Sequence, residues 1–260
     1  MTTVVLFLLA SPVAVQDYTQ ANAFFEQQKY GAASEALNRA LKEDPNYVPA
    51  WTLRGKMAMA FNRFDIARAA FTRAVTLDPG SAYVQFMLGF FYYFDNDFTN
   101  AIPPLETAAR LNQNDPRPLL YLAMSQDGLA HPDSALALYQ KTIELETRVG
   151  KPDPETHTAY GRLLSVLGRY EESGRQVARV LELDPESRDG HYELGRLDFQ
   201  KGDYAGAAAE GEKALAKRGP GTTDRQIHFL LTRAYSRIGK KELANLHRKL
   251  FEASPPTLRR

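Results

Sequence analysis

Four alanines, Ala33, Ala67, Ala101 and Ala135, stand 34 residues apart, and this period constrains the fold more than any other property of the chain. A fixed step of that length with a small residue held in one column is what stacked two-helix units produce. Each unit has an apolar face that it cannot bury alone, so its neighbours complete the core. A chain of 260 residues would otherwise suggest one or two globular domains. The repeat predicts a single elongated all-α solenoid instead.

Further columns run with the alanines. Gly55, Gly89, Gly161 and Gly195 share one register, with Ala21, Ala123 and Thr232 in the same place elsewhere. Tyr30, Phe64, Phe98, Tyr170 and Tyr204 form an aromatic column. Pro45, Pro79 and Pro185 close the runs ALKEDP, AVTLDP and VLELDP. The second copy reads Trp51-x2-Arg54-Gly55, then Ala67-x3-Phe71, then Pro79, and resembles the tetratricopeptide repeat, W-x2-L-G-x2-Y…A-x3-F…P. Seven copies start near Ala14, Val48, Ala82, Pro116, Pro154, Arg188 and Arg225. The resemblance implies a right-handed superhelical solenoid of about seven helix-turn-helix repeats over residues 15–256. Copy four departs from the pattern with Pro132 and Thr142, and copy seven with Lys241 in the aromatic column.

Two steps are longer than the rest, 38 residues around Arg148–Pro154 and 37 around Lys217–Gly221. Their Gly and Pro clusters predict enlarged turns, with a hinge as the alternative for the first. Pro103 and Pro104 lie near the start of a second helix, where proline is tolerated because first-turn amides lack intrahelical partners. They predict a late helix start.

The run Val4–Ala10, VVLFLLA, followed by Ser11-Pro12-Val13-Ala14, matches the core and small-residue end of a secretory signal peptide, and it is too short to span a bilayer. The expectation for residues 1–14 is therefore a signal peptide or an apolar N-terminal segment. An exported or periplasmic protein follows from the first and a cytoplasmic one from the second. No integral membrane span is expected in the mature chain. The absence of cysteine excludes disulfides and thiolate metal sites. The last helix, KKELANLHRKLFEA, is polar enough to cap the stack, and residues 257–260 form a tail.

Family members present the first helix of each hairpin to a concave groove that binds peptides, so the resemblance places the candidate site on the first helices. In the third copy, Leu88, Gly89 and Tyr92 occupy packing columns, and Tyr83, Phe86, Phe90 and Phe94 project from the opposite side. Phe25, Met59, Leu120 and Met124 fall on the same side of copies one, two and four. Aromatics and Met favour interface cores and adapt to varied partners. The column holding Asn22, Lys56, Phe90 and Met124 becomes Arg162, Arg196 and Arg233 in the last three copies, with Arg237 one turn on and Tyr192 and Phe199 flanking Arg196. Guanidinium forks suit carboxylates, so a peptide with acidic residues is the expected ligand of that half; pairing with nearby Glu or Asp is the alternative. The family's chaperone-binding members hold a C-terminal carboxylate with a Lys and Asn set. Asn22 matches one element, but Tyr18, Leu53 and Tyr83 stand where polar or basic residues are required, so that specificity is not implied.

His157, His191 and His228 share the column of Trp51. Adjacent helices lie about 8–10 Å apart, far for two ligands of one ion, so packing histidines are expected rather than a metal row. No metalloprotease, phosphate-loop, nucleophile-elbow or paired-carboxylate motif is present. No catalytic residue, cofactor or metal is assigned. The net charge is +1, with 10 basic and 12 acidic residues through Ala130 and 22 and 19 beyond it, which argues against a nucleic-acid groove because phosphate neutralisation dominates such binding. The expected function is a non-catalytic scaffold that holds a peptide segment of a partner protein. The alternatives are a self-associating assembly protein with helix 82–94 in a homo-oligomer interface, and a single-stranded nucleic-acid-binding repeat.

Overall fold

The repeat columns are built into paired helices. The computed structural model describes residues 11–219 and 221–254; the apolar run 1–10 and the tail 257–260 lie outside the described residues. Fourteen helices, and no strand, occur among the described residues: α1 (Pro12–Glu26), α2 (Tyr30–Glu43), α3 (Val48–Ala60), α4 (Phe64–Leu77), α5 (Ala82–Phe94), α6 (Phe98–Leu111), α7 (Arg117–Gly128), α8 (Pro132–Val149), α9 (Pro154–Val166), α10 (Tyr170–Leu183), α11 (Arg188–Lys201), α12 (Tyr204–Ala216), α13 (Asp224–Arg237) and α14 (Lys241–Ala253). The described residues form two compact units that divide inside α7, between Leu122 and Ala123. Pro12 to Ala14, the last residues of the expected leader, form the first turn of α1, and Ala14 is fully buried.

In the first unit α1 pairs with α2, α3 with α4 and α5 with α6; in the second, α9 with α10, α11 with α12 and α13 with α14. Within each unit first helices also touch first helices, α1–α3–α5 and α9–α11–α13. The alanine column explains the pairing. Ala33, Ala67, Ala101 and Ala135 have no exposed surface. The glycine column faces the second helix of the same hairpin: a Cβ on Gly55 would stand 2.5 Å from the Phe71 ring, and one on Gly89 would stand 2.5 Å from Leu105 Cγ. Small residues there set how closely the two helices approach.

Each hairpin reverses through one left-handed residue placed two positions before its second helix. These are Gln28, Asn62, Asn96 and Ala130, with φ of 55–59°, and then Gly168, Gly202 and Gly239, with φ of 76–86°. The amide that follows each of them donates to a carbonyl five residues back, as in Lys29 N to Phe24 O (2.9 Å), His131 N to Gln126 O (2.9 Å) and Lys240 N to Tyr235 O (3.0 Å). This is the Schellman closure of a helix C-terminus. Ala130 carries the strain that glycine avoids, about 1–2 kcal/mol for a left-handed L-residue, partly offset by the greater unfolded-state freedom of glycine. Ala130→Gly is therefore expected to stabilise the chain by up to about 1 kcal/mol, read as a higher urea midpoint, whereas Gly202→Ala lowers it. An unchanged or lower midpoint for Ala130→Gly contradicts this account.

A second recurrent bond ties first helices to the turns before them. Trp51 Nε1 donates to Pro45 O (2.8 Å), Gln85 Nε2 donates to Pro79 O (3.0 Å), and His191 Nε2 lies 3.2 Å from Pro185 O. All three side chains share one column and reach the proline six residues earlier.

Two expectations change and one holds. The first long step lengthens a helix rather than a turn. α8 runs 18 residues, and its added turn carries Glu146, 2% exposed, which accepts from Thr156 Oγ1 and from Asp153 N and so ties α8 to the start of α9. Burial raises the Glu146 carboxyl above its ordinary pKa, against the opposing pull of the Thr156 bond. The second long step is an enlarged turn between α12 and α13, as its Gly and Pro cluster predicts, and it is pinned to α11: Arg188 Nη1 donates to Lys217 O (2.8 Å), Arg188 pairs with Asp224, and Thr222 N donates to Asp189 Oδ1 (2.7 Å). Finally, Pro103 and Pro104 lie inside α6 and do not delay it. Asp97 caps the helix by accepting from Asn100 N (3.3 Å), and Phe98 packs on Tyr93 at 5.8 Å. The first turn therefore forms although the prolines give no amide to the carbonyls of Thr99 and Asn100.

Candidate binding surfaces

In the first unit, the first-helix side holds a cavity of about 350 Å³ walled by α1, α3 and the start of α5. Tyr18 and Tyr83 flank it, Asn22 and Lys56 give it a polar edge, and Leu53 and Val84 form apolar wall. Tyr18 meets Tyr47 edge-on at 5.4 Å, and its phenol is pushed up by burial, with Tyr47, Tyr83 and Glu26 adding to the shift. Lys56 lies 5.9 Å from the Phe25 ring, where the quadrupole of the ring attracts the cation. Tyr83 is 47% exposed, so its ring is available to a ligand.

The remaining aromatic candidates divide. Phe90 and Phe94, both half-buried, lie 6.4 Å apart, and Phe90 meets Tyr121 edge-on at 4.9 Å. Phe25, Met59 and Met124 are also half-buried. Phe86 and Leu120 correct the sequence reading, because they are 6% and 2% exposed and belong to the core. The cause is α7: Tyr121 packs on Phe86 at 5.9 Å, and the Arg117 guanidinium lies over the same ring at 4.8 Å. Conversely Leu88 and Tyr92, expected to pack inward, are half-buried, and Phe91 is the fully buried residue of α5.

In the second unit the arginine column is not uniform. Arg162 Nε (2.9 Å) and Arg196 Nη1 (2.6 Å) both hold Glu193, whose side chain is 4% exposed. One buried carboxylate is therefore shared by two arginines, which leaves the trio with one positive charge but commits a donor of each arginine to the chain itself. Arg233 and Arg237 differ, as neither makes an ion pair among the described residues. Arg233 lies 4.3 Å from the Phe199 ring and 5.5 Å from Phe229, and Arg237 lies 5.5 Å from Tyr204. Both are exposed, so their charge stands on aromatic faces with the donors open to a ligand. Tyr192 packs beside Arg196 at 5.9 Å, and burial raises its phenol pKa.

The histidine column packs within its own hairpins. His157 Nδ1 meets Gln176 Oε1 (2.8 Å), His191 Nδ1 meets Glu210 Oε2 (2.7 Å), and His228 Nδ1 lies 3.1 Å from His247 Nδ1. No group of three His, Cys, Asp or Glu among the described residues could hold a metal ion. His247 Nε2 is 3.2 Å from Glu212, which also accepts from Tyr235 OH and, with burial as the larger cause, pushes that phenol up to about 12. Burial first, then His247, lowers the pKa of His228 below its ordinary 6.5. A native state with a depressed histidine binds fewer protons than the unfolded chain, so the contribution is complete above about pH 6.5 and is lost as pH falls through the folded value. Acidification from about pH 7 to about pH 5 is expected to speed amide exchange in α13 and α14 in the wild type. The effect should shrink in His228→Gln, since Gln85 already occupies the same column. Equal acid sensitivity in both proteins removes His228 as the cause.

The chain belongs to the tetratricopeptide repeat family, whose model matches residues 18–82, 52–116 and 158–221. It is similar to anaphase-promoting complex subunit 3 of Schizosaccharomyces pombe, 20% identical over 177 residues, 68% of this chain and 26% of the relative, so it spans about a quarter of that protein. A tetratricopeptide repeat protein from Parabacteroides merdae superposes with a TM-score of 0.75 at 17% identity, covering 95% of each chain. PilF of Pseudomonas aeruginosa superposes with a TM-score of 0.70 at 16% identity, covering 86% of this chain and 97% of that one. These likenesses define the fold. No helix among the described residues is long and apolar enough to cross a membrane.

Proposed function

We propose that the chain is a non-catalytic protein-interaction scaffold that holds a peptide segment of a partner protein on its first-helix surfaces. Apolar side chains of the partner dock in the first unit, in the cavity beside Tyr83 and against the half-buried Phe90. Acidic side chains dock in the second unit on Arg233 and Arg237. The observation that carries this reading is the 350 Å³ cavity, which pairs two tyrosine rings with an asparagine and a lysine on one open face. Cavities of this size with a few convergent polar groups suit one or two side chains rather than a packed helix. The open arginines add charge recognition, because a guanidinium resting on a ring keeps its outer donors for a carboxylate.

Affinity capture from the native cell, read by mass spectrometry, tests this with Tyr83→Ser and Arg233→Glu, both at exposed positions that leave the core intact. Each variant is expected to lose at least about tenfold of partner recovery, corresponding to a hot-spot loss of more than about 1 kcal/mol. Recovery of the same partners at wild-type level by both variants would show that these surfaces are not the binding site.

A further inference from the structure

One residue of the repeat pattern has no role in that scheme. The position before the column glycine is Leu88, Leu122, Leu194 and Leu231 in four copies, and Tyr160 in a fifth. Leu122, Tyr160 and Leu231 are 4%, 4% and 0% exposed and fill the joint of the stack, Leu88 and Leu194 are half-buried, and the first copy has an exposed Gln20 there. In the second copy it is Arg54. The guanidinium cannot fill the joint. It lies 5.5 Å from the Trp51 ring, half-buried, and a cavity of about 340 Å³ opens beside it between α2 and α3.

We propose that this cavity is a second binding site, which takes a carboxylate joined to an apolar side chain within a short peptide segment. Arg63, at the turn into α4, also lines it. Neither Arg54 nor Arg63 makes a side-chain hydrogen bond or ion pair among the described residues. Arg39, Arg68, Arg117, Arg162 and Arg196, by contrast, all hold carboxylates of the chain. A guanidinium offers five donors in a fixed fork and cannot lose its charge. With no acceptor from the chain, the donors of both groups stay open to the cavity and to solvent, so this lining is complementary to an anion that the chain itself does not supply. Much of the remaining lining is apolar. Leu37 and Met57 are buried there, and Phe61 and Ile66, 49% and 43% exposed, are large apolar side chains on the same cavity. Guanidinium charge and apolar surface lining one cavity match an acidic residue adjoining an apolar one. The volume admits little more than that pair. This cavity shares no lining residue with the one beside Tyr83: Arg54 and Met57 line the first, whereas Thr52 and Lys56 of the same helix line the second.

The test is an amide-resolved NMR titration of the whole chain with acetyl-Asp-Phe-amide, acetyl-Asn-Phe-amide and inorganic phosphate. The acidic dipeptide is expected to shift resonances of α2 and α3 around Ser34 and Met57. The Asn peptide should bind at least about tenfold more weakly, the scale of one charge-assisted hydrogen-bonded pair. Arg54→Leu installs the residue that its column already carries, so the fold is retained, and it too should weaken binding about tenfold. Arg63→Gln, at an exposed position, provides a second route to the same loss. Tyr83→Ser should leave the titration unchanged, which separates this site from the proposed groove. Equal affinity for the Asp and Asn peptides, wild-type affinity in both arginine variants, or stronger binding of phosphate than of the peptide would each overturn the proposal.

Discussion

Phe71→Ala is expected to cost about 3–5 kcal/mol, the range for emptying a buried phenylalanine site. Phe71 has no exposed surface and serves two joints at once. Within its hairpin the ring fills the space over Gly55, where an added Cβ would meet it at 2.5 Å. Toward the next hairpin it packs on Phe91 at 5.9 Å. The void left by alanine cannot close from either side, because Gly55 has no side chain to extend and Phe91 is fixed in α5. Since coupling in such stacks runs between nearest neighbours, the loss should be local. Hydrogen exchange should accelerate in α3 to α6 and remain close to wild type in α13 and α14. Uniform acceleration across all helices, or a loss below about 1 kcal/mol in the unfolding midpoint, would contradict this assignment.

The second large effect is overpacking. Gly89→Val places a Cβ 2.5 Å from Leu105 Cγ, 2.8 Å from its Cδ2 and 3.1 Å from its backbone nitrogen. The leucine side chain can rotate away, but the backbone of α6 cannot, so α5 and α6 must separate. Overpacking of this kind costs about 1–3 kcal/mol and more where backbone must move. A double-mutant cycle identifies the cause. Leu105→Ala alone opens a cavity, and Gly89→Ala alone crowds it; together each relieves the other, so the double variant should be more stable than the sum of the singles by more than about 0.5 kcal/mol. Additivity within error would mean that the two residues do not limit the approach of the helices.

Much of the architecture was legible because its determinants are periodic. A column of alanines with no exposed surface has one physical explanation, close approach of two helices, and the second-helix starts at Tyr30, Phe64, Phe98, Tyr170 and Tyr204 coincide with the aromatic column. The site was less legible because a column describes one helix and not what lies across from it. Phe86 and Leu120 satisfied the spacing for an open face and are nevertheless covered. Glu193 was missed as the counterion of Arg162 and Arg196, since its column holds Leu53, Met87 and Ala159 in other copies and carries no charge there. The anomaly at Arg54 was visible in the quoted pattern, but only the cavity beside it gives that departure a meaning.

The left-handed turn residues have a consequence for chirality. Every hairpin reverses at one backbone position where an L-side chain is disfavoured and its mirror image is favoured. The chain is built of L-residues and glycine, yet these seven sites favour the opposite hand, and four of them hold an L-side chain all the same: Gln28, Asn62, Asn96 and Ala130. A D-alanine introduced by chemical ligation at position 130 should fit the native turn and also keep the unfolded chain more restricted than glycine does. Handedness, not side-chain identity, is what those seven positions select.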